Sequence, residues 1–289
     1  MTEHTQGINV VKEPEFVPYD GRRLSYANTF TNPWKATVIR TLEWLTGKIP
    51  LLRLIRRFES LGAPMGQSFF HQALEIMGID LLTPREQLKN IPKTGPVVVV
   101  ANHPHGLVDG LVLAELIGQV RTDYKILTRS LLTGVQEIEE FMLPVAFPHE
   151  ANAIQKNLEM RRIAMKHLKD GGVIVLFPAG QVAASTGFFG PAIESEWNPF
   201  PAKMVLRSGA TVLPIFFPGQ NSRLYQIANK LSATFRQGLL LHEVAHSLRR
   251  PQSPVIGAPV EAAELKRWSD NPRGLMAWLR GMTLALRGT

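Results

Sequence analysis

Residues 97–110 read VVVVANHPHGLVDG, an apolar run that ends in two histidines and an aspartate. A histidine with a carboxylate close by is the minimal general base. The imidazole takes a proton near neutral pH, and the carboxylate fixes its tautomer and stabilises the cation that forms. His103 and His105 are both placed to be that base, and Asp109 is the only carboxylate in the stretch. Gly106 and Gly110 allow a sharp turn and a close approach of the backbone to a ligand.

A second group of residues competes. His242-Glu243-Val244-Ala245-His246 spells H-E-x-x-H. On a helix this would set both histidines on one face for zinc and make Glu243 a general base, the pattern of a metalloprotease. Arg249-Arg250-Pro251 stops such a helix almost at once. The plainer alternative is a helix whose leucines 239–241 pack on the core. His103-Pro104-His105 also invites comparison with metal-dependent hydrolases. Those need further ligands after later strands, and Phe177-Pro178 and Pro214-Ile215 supply none. No metal is expected.

The elements that must carry the histidine turn follow from patterning. Residues 96–101 form a continuous apolar run, the mark of a strand buried on both faces. Strands are predicted again at 124–128, 143–147, 173–177 and 211–217, with a late one at 255–256. Helices are predicted at 109–118, 153–169 (closed by Gly171-Gly172), 201–207 and 272–287. This alternation predicts an α/β fold, a mostly parallel central sheet flanked by helices. In such sheets ligands gather at the carboxyl ends of strands, and residues 102–109 sit at one.

Residues 1–30 read as a loosely ordered leader broken by Pro14, Pro18 and Gly21. Residues 31–84 carry helical stripes, with Pro33 at a first helical position and a third helix near 66–77. Six basic side chains and the single acid Glu43 lie between 35 and 57, with Trp34 and Trp44 nearby. This segment is an amphipathic helix pair that either packs on the core or lies on an anionic membrane surface. Residues 85–260 form the main domain and 261–289 a C-terminal helical segment.

Composition narrows the classes. The 289 residues are 45% hydrophobic, enough for a sizeable core, and contain no cysteine, so a thiolate nucleophile and disulfides are excluded. No signal peptide and no membrane-spanning run is read. The net charge of +8 suits an anionic surface or ligand. Nucleic acid is not expected, because basic and aromatic residues are not interleaved.

Three blocks in order resemble a known family. Asn102-His103 with Asp109 after a buried strand, then Phe177-Pro178-Ala179-Gly180, then Val212-Leu213-Pro214-Ile215, are similar to blocks of the glycerolipid (lysophospholipid) acyltransferases, over roughly 85–260. The form NHPHGLVDG is most similar to the branch called hemolysin-like or lyso-ornithine-lipid acyltransferases. The resemblance implies transfer of a fatty acyl group from an acyl carrier protein or coenzyme A thioester to a lysolipid hydroxyl, without a cofactor. It implies His103 as base and Asp109 as its orienter. Asn102, His105, Gly106, Arg129, Phe177, Pro178 and Gly180 would bind substrate, with amides near Gly180 as oxyanion donors. It also implies a peripheral protein on the cytoplasmic face of a bacterial inner membrane.

Three departures qualify the match. The His103–Asp109 spacing is one residue longer than the family's usual, which makes His105 a rival base. Ala179 replaces the glutamate of the third block, and Phe147-Pro148 stand where an arginine is usual. Those absent groups serve phosphate acceptors, so a less phosphate-dependent acceptor such as a lyso-aminolipid is expected, with Arg129, Lys203 and Arg207 as candidates for an anionic headgroup.

Overall fold

A computed structural model describes residues 18–128, 135–146 and 152–288. Its centre is a six-stranded sheet in the order β3-β2-β4-β1-β7-β8. The strands are β1 (Val97–Ala101), β2 (Tyr124–Thr128), β3 (Met142–Pro144), β4 (Val173–Leu176), β7 (Thr211–Phe216) and β8 (Val255–Ile256). A separate small hairpin pairs β5 (Ala184–Ser185) with β6 (Ala192–Ile193). All sheet pairings are parallel except β7 with β8, so the mostly parallel α/β sheet expected from the sequence is present.

The unbroken valine run of β1 has a physical reason. Val97, Val99 and Ala101 face one apolar layer and Val98 and Val100 the other, and all five residues are buried. The first layer is closed by α2 (Ile49–Ser60), α3 (Ser68–Met77), α4 (Leu107–Gly118) and α9 (Leu240–His246). The second is closed by α5 (Ala153–Lys169), α6 (Phe200–Ser208), α10 (Ala262–Leu265) and α11 (Pro272–Ala285). Two further helices, α7 (Arg223–Leu231) and α8 (Ala233–Gly238), lie between β7 and α9.

The N-terminal third belongs to this core. Helix α1 (Pro33–Glu43) starts with Asn32 accepting from the Trp34 and Lys35 amides, and runs through a π-helical turn, Trp44–Lys48, into α2. Leu51, Phe70, Leu74 and Met77 join the same apolar cluster as β1 and α4. Gly47 lies against α9 so closely that a Cβ there would stand 2.6 Å from Leu241 and His242 backbone atoms. The opposite side stays exposed, with Trp34, Trp44 and Leu45 outward. Residues 31–84 thus pack on the core by one face and show apolar groups on the other.

The leader expected over 1–30 is described from residue 18 on. Its first 17 residues lie outside the described part, but Ser25 Oγ donates to Glu43 Oε2 at 2.6 Å and the Tyr26 amide to Glu43 Oε1 at 2.8 Å. A buried carboxylate needs donors, and this short 3₁₀ turn, Tyr26–Thr29, provides them. Where a strand is expected at 143–147, Met142–Pro144 forms one, Val145 and Ala146 do not, and Phe147 lies outside the described residues. Among the described residues no helix is long and apolar enough to cross a membrane.

Candidate active site

The turn after β1 hangs on Asn102. Its amide nitrogen donates to the Phe217 carbonyl at 2.8 Å and its oxygen accepts the Phe217 amide at 2.7 Å, locking the ends of β1 and β7 together. The side chain read as a substrate ligand therefore spends its polar atoms on the backbone. Gly106 then takes φ 74° and ψ −126°, a conformation open to glycine, and starts α4. Asp109 falls in the first turn of that helix, fully buried.

Asp109 is the hub. His103 Nδ1 lies 3.0 Å from its Oδ2 and His105 Nδ1 3.0 Å from its Oδ1, while the His105 amide donates to Oδ2 at 2.9 Å. A carboxylate only accepts, so both rings present Nδ1–H to it and keep Nε2 as the remaining nitrogen. The two Nε2 atoms differ in surroundings. That of His105 is turned onto Gly219, where a Cβ would stand 2.8 Å away. His103 stacks on Phe177 with ring centroids 3.9 Å apart and lines an open cavity. The cavity wall also includes Gly106, Phe177, Pro178 and Gly180 of the expected site, but not His105 or Asn102.

Burial would raise the Asp109 pKa, but the charge of His105 and hydrogen bonds from both rings hold it below the usual aspartate value. Burial disfavours the charged form of His105, yet Asp109 and, further off, Glu243 outweigh it and raise that pKa. Both directions reflect the attraction between the Asp109 carboxylate and the His105 ring held 3.0 Å away.

A further carboxylate was not legible in the sequence. Glu194 Oε2 accepts the His103 amide at 3.2 Å, and Oε1 accepts the Trp197 indole at 2.9 Å. Burial pushes its pKa up, and those hydrogen bonds and the His103 charge offset this only in part. The His103 carbonyl accepts the Ala183 amide at 2.8 Å, so the backbone of the candidate base is held on both sides. Oxyanion donors are expected among the amides near Gly180, and the amide of Gly180 itself donates to the Phe177 carbonyl at 3.0 Å.

The cavity measures about 390 Å³. Two arginines line it, Arg161 from α5, whose guanidinium sits 4.3 Å over the Phe200 ring, and Arg236 from α8. No described acid lines it. Lys203 and Arg207 are exposed on α6 away from it, and Arg129 lies outside the described residues. A second, apolar cavity of about 170 Å³ lies among α2, α3 and α4, lined by Leu54, Ile55, Phe58 and Phe69. Leu107 borders both cavities.

The H-E-x-x-H helix is real, but its carboxylate is committed elsewhere. Glu243 accepts the Ser222 amide at 2.7 Å and hydroxyl at 2.6 Å, and His242 Nδ1 lies 3.2 Å from the Thr46 carbonyl. Among the described residues no group of three or more His, Asp or Glu side chains is arranged to hold a metal ion.

A mostly parallel sheet with a His–Asp pair at the carboxyl end of a central strand makes this an α/β protein with a candidate general-base site, and comparison gives the family. The model of a family described as Acyltransferase matches residues 40–241, and the chain belongs to that family. It is 25% identical over 168 residues to the lyso-glycine lipid O-acyltransferase of Phocaeicola vulgatus, covering 57% of each chain. It is 24% identical over 172 residues to the lyso-glycine lipid O-acyltransferase of Bacteroides thetaiotaomicron, covering 58% of this chain and 60% of the other. The matched region thus spans less than two thirds of those relatives. The fold is shared with the crystal structure of the 1-acyl-sn-glycerophosphate acyltransferase PlsC from Thermotoga maritima, at TM-score 0.50 and 15% identity over 77% of this chain and 78% of that one. The resemblance to the glycerolipid acyltransferase family is borne out.

Proposed function

We propose that this protein transfers a fatty acyl group from a thioester, carried by acyl carrier protein or coenzyme A, to the hydroxyl of a lysolipid. The observation that carries this reading is the asymmetry of the two histidines. Both are held by Asp109, but only His103 borders the cavity. His103 Nε2 takes the proton of the acceptor hydroxyl as its oxygen attacks the thioester carbon. The tetrahedral intermediate collapses, the carbon–sulfur bond breaks, and the departing thiolate receives the proton from His103. Asp109 keeps the ring in the Nδ1–H tautomer and stabilises the transient imidazolium. No acyl-enzyme is needed, which agrees with a chain that has no cysteine.

The apolar cavity beyond Leu107 offers space for a fatty chain. Arg161 and Arg236, with no described acid beside them on the wall, favour an acceptor whose headgroup is anionic, such as the carboxylate of a lyso-aminolipid. The relatives' names point the same way. The enzyme works as a peripheral protein at the cytoplasmic face of a bacterial membrane and uses no metal or cofactor. The test is acyl transfer from labelled donors to a lysolipid panel. Turnover that is lost in His103→Ala, with the acceptor KM raised roughly ten- to hundredfold in Arg161→Ala or Arg236→Ala, is the expected result. Full turnover in His103→Ala removes the base.

A further inference from the structure

The hairpin that carries Glu194 ends in Gly187-Phe188-Phe189-Gly190. Phe188 is 49% exposed and Phe189 85% exposed. Neither ring is in a packed cluster, yet the backbone under them is firmly held. Ser185 Oγ accepts the Gly187 amide at 3.2 Å, Arg223 Nη1 donates to the Gly190 carbonyl at 2.6 Å, and the Ser185 amide donates to Gln226 Oε1 at 2.7 Å. Two large apolar rings on a braced turn leave their apolar surface in water, and burying such a ring is favourable.

We propose that the Phe188-Phe189 tip inserts into the interface of an anionic bilayer and anchors the site through the hairpin's two legs. This rests on the reading above, in which the acceptor is a membrane lipid. The lipid surface is favoured as occupant by charge and by continuity. The α7–α8 segment beside the tip carries exposed Arg223 and Lys230 and no acid, its third cation, Arg236, lying on the cavity wall. The hairpin packs on α7, α7 on α8, and α8 on α1, and each of these elements shows an exposed apolar side chain: Leu231, Phe235 and Trp34. Aromatic and aliphatic groups mixed with cations and few acids suit an anionic lipid interface. The legs link the tip to chemistry. One leads back to Ala183, whose amide holds the His103 carbonyl, and the other on to Glu194, which accepts the His103 amide. Docking at the tip therefore bears on the segment that holds the candidate base.

The natural absence of cysteine makes the experiment direct. Phe189→Cys gives a single thiol for an environment-sensitive fluorophore, and Asp170→Cys, exposed at the far end of α5, gives a reference. With phosphatidylcholine–phosphatidylglycerol vesicles the label at 189 should shift to the blue and be quenched by spin-labelled lipid, while the reference does not respond. The Phe188→Ser/Phe189→Ser variant should bind those vesicles at least roughly tenfold more weakly and turn over a short-chain, water-soluble acceptor normally. A silent label while the protein still sediments with vesicles overturns the proposal. So does an equal response to phosphatidylcholine alone, a response that follows protein concentration or added acyl carrier protein instead of lipid, or loss of turnover on the soluble acceptor. Failure of the wild type to acylate any lysolipid would defeat the functional reading instead, and leaves the fluorescence result standing on its own.

Discussion

Replacing Asp109 by asparagine separates the base from its orienter with little change of volume. The carboxylate accepts two ring N–H groups and one amide through two oxygens. Asparagine has one oxygen and an NH₂ group that only donates. At least one ring must then offer Nδ1 as acceptor, and its hydrogen moves to Nε2. If that ring is His103, the atom that has to take the acceptor's proton is already protonated. The expected loss is that of general-base assistance, about 10²–10⁴ in kcat. The stability cost is smaller. Hydrogen bonds to a charged group contribute about 1.5–3 kcal/mol each, but a fully buried carboxylate also carries a desolvation cost of several kcal/mol that asparagine lacks. A net loss of about 1–3 kcal/mol, or roughly 2–12 °C in Tm, is expected. The pH dependence adds a second readout. Asp109 has a lowered pKa, so its contribution is present above the ordinary aspartate range and fades as pH falls through its folded value. His105 has a raised pKa, so its contribution is full below the ordinary histidine value and is lost as pH rises through the folded one. Both slopes should flatten in the variant. The measurements are steady-state kinetics with labelled acyl donor and calorimetry across pH. A folded Asp109→Asn protein with wild-type kcat would refute the reasoning.

Gly219→Ala should lower stability by about 1–3 kcal/mol and depress turnover, because φ 96° disfavours a side chain and the new Cβ meets His105 Nε2 at 2.8 Å; thermal melts and kinetics check both. Glu194→Gln should reduce kcat roughly ten- to hundredfold by loosening the His103 backbone. Because the Glu194 pKa is raised, the wild type loses stability as pH climbs from the ordinary glutamate range through the folded value, and denaturant titrations should show that loss missing in Glu194→Gln. His242→Ala should leave acyl transfer intact, whereas Glu243→Ala should cost about 1–3 kcal/mol by stranding the Ser222 donors; stoichiometric zinc lost with His242 would reverse this assignment.

Much of the scaffold was legible because it rests on local patterns. A strand buried on both faces must be apolar throughout, and β1, β4 and β7 fall within a residue of the expected spans. Helix α5 coincides with its prediction, closed by Gly171 at φ 88°. The β5–β6 hairpin was invisible because two-residue strands show no alternation. The site divides the same way. His103, Gly106, Phe177, Pro178 and Gly180 lie in recognisable turns at strand ends and share the cavity wall. Glu194 reaches the His103 amide across 91 positions, and Arg161 and Arg236 arrive from helices whose polar faces look like any solvated surface. Tertiary placement alone gives them a role, and no spacing rule encodes it. The resemblance names His103 as base, and the structure adds that His103 borders the cavity while His105 Nε2 is turned onto Gly219.

The backbone-to-backbone crossing at Gly47 has a mechanical corollary. With no side chain interposed between the π-helical turn and α9, the first helices have no soft layer on which to slide or hinge. Trp34 on α1 and the cavity wall contributed by α8 and α9 therefore keep a fixed separation. On the proposed membrane-bound reading, an acceptor must rise by that separation to reach His103, and acceptors would be sorted by how far their hydroxyl can leave the lipid plane.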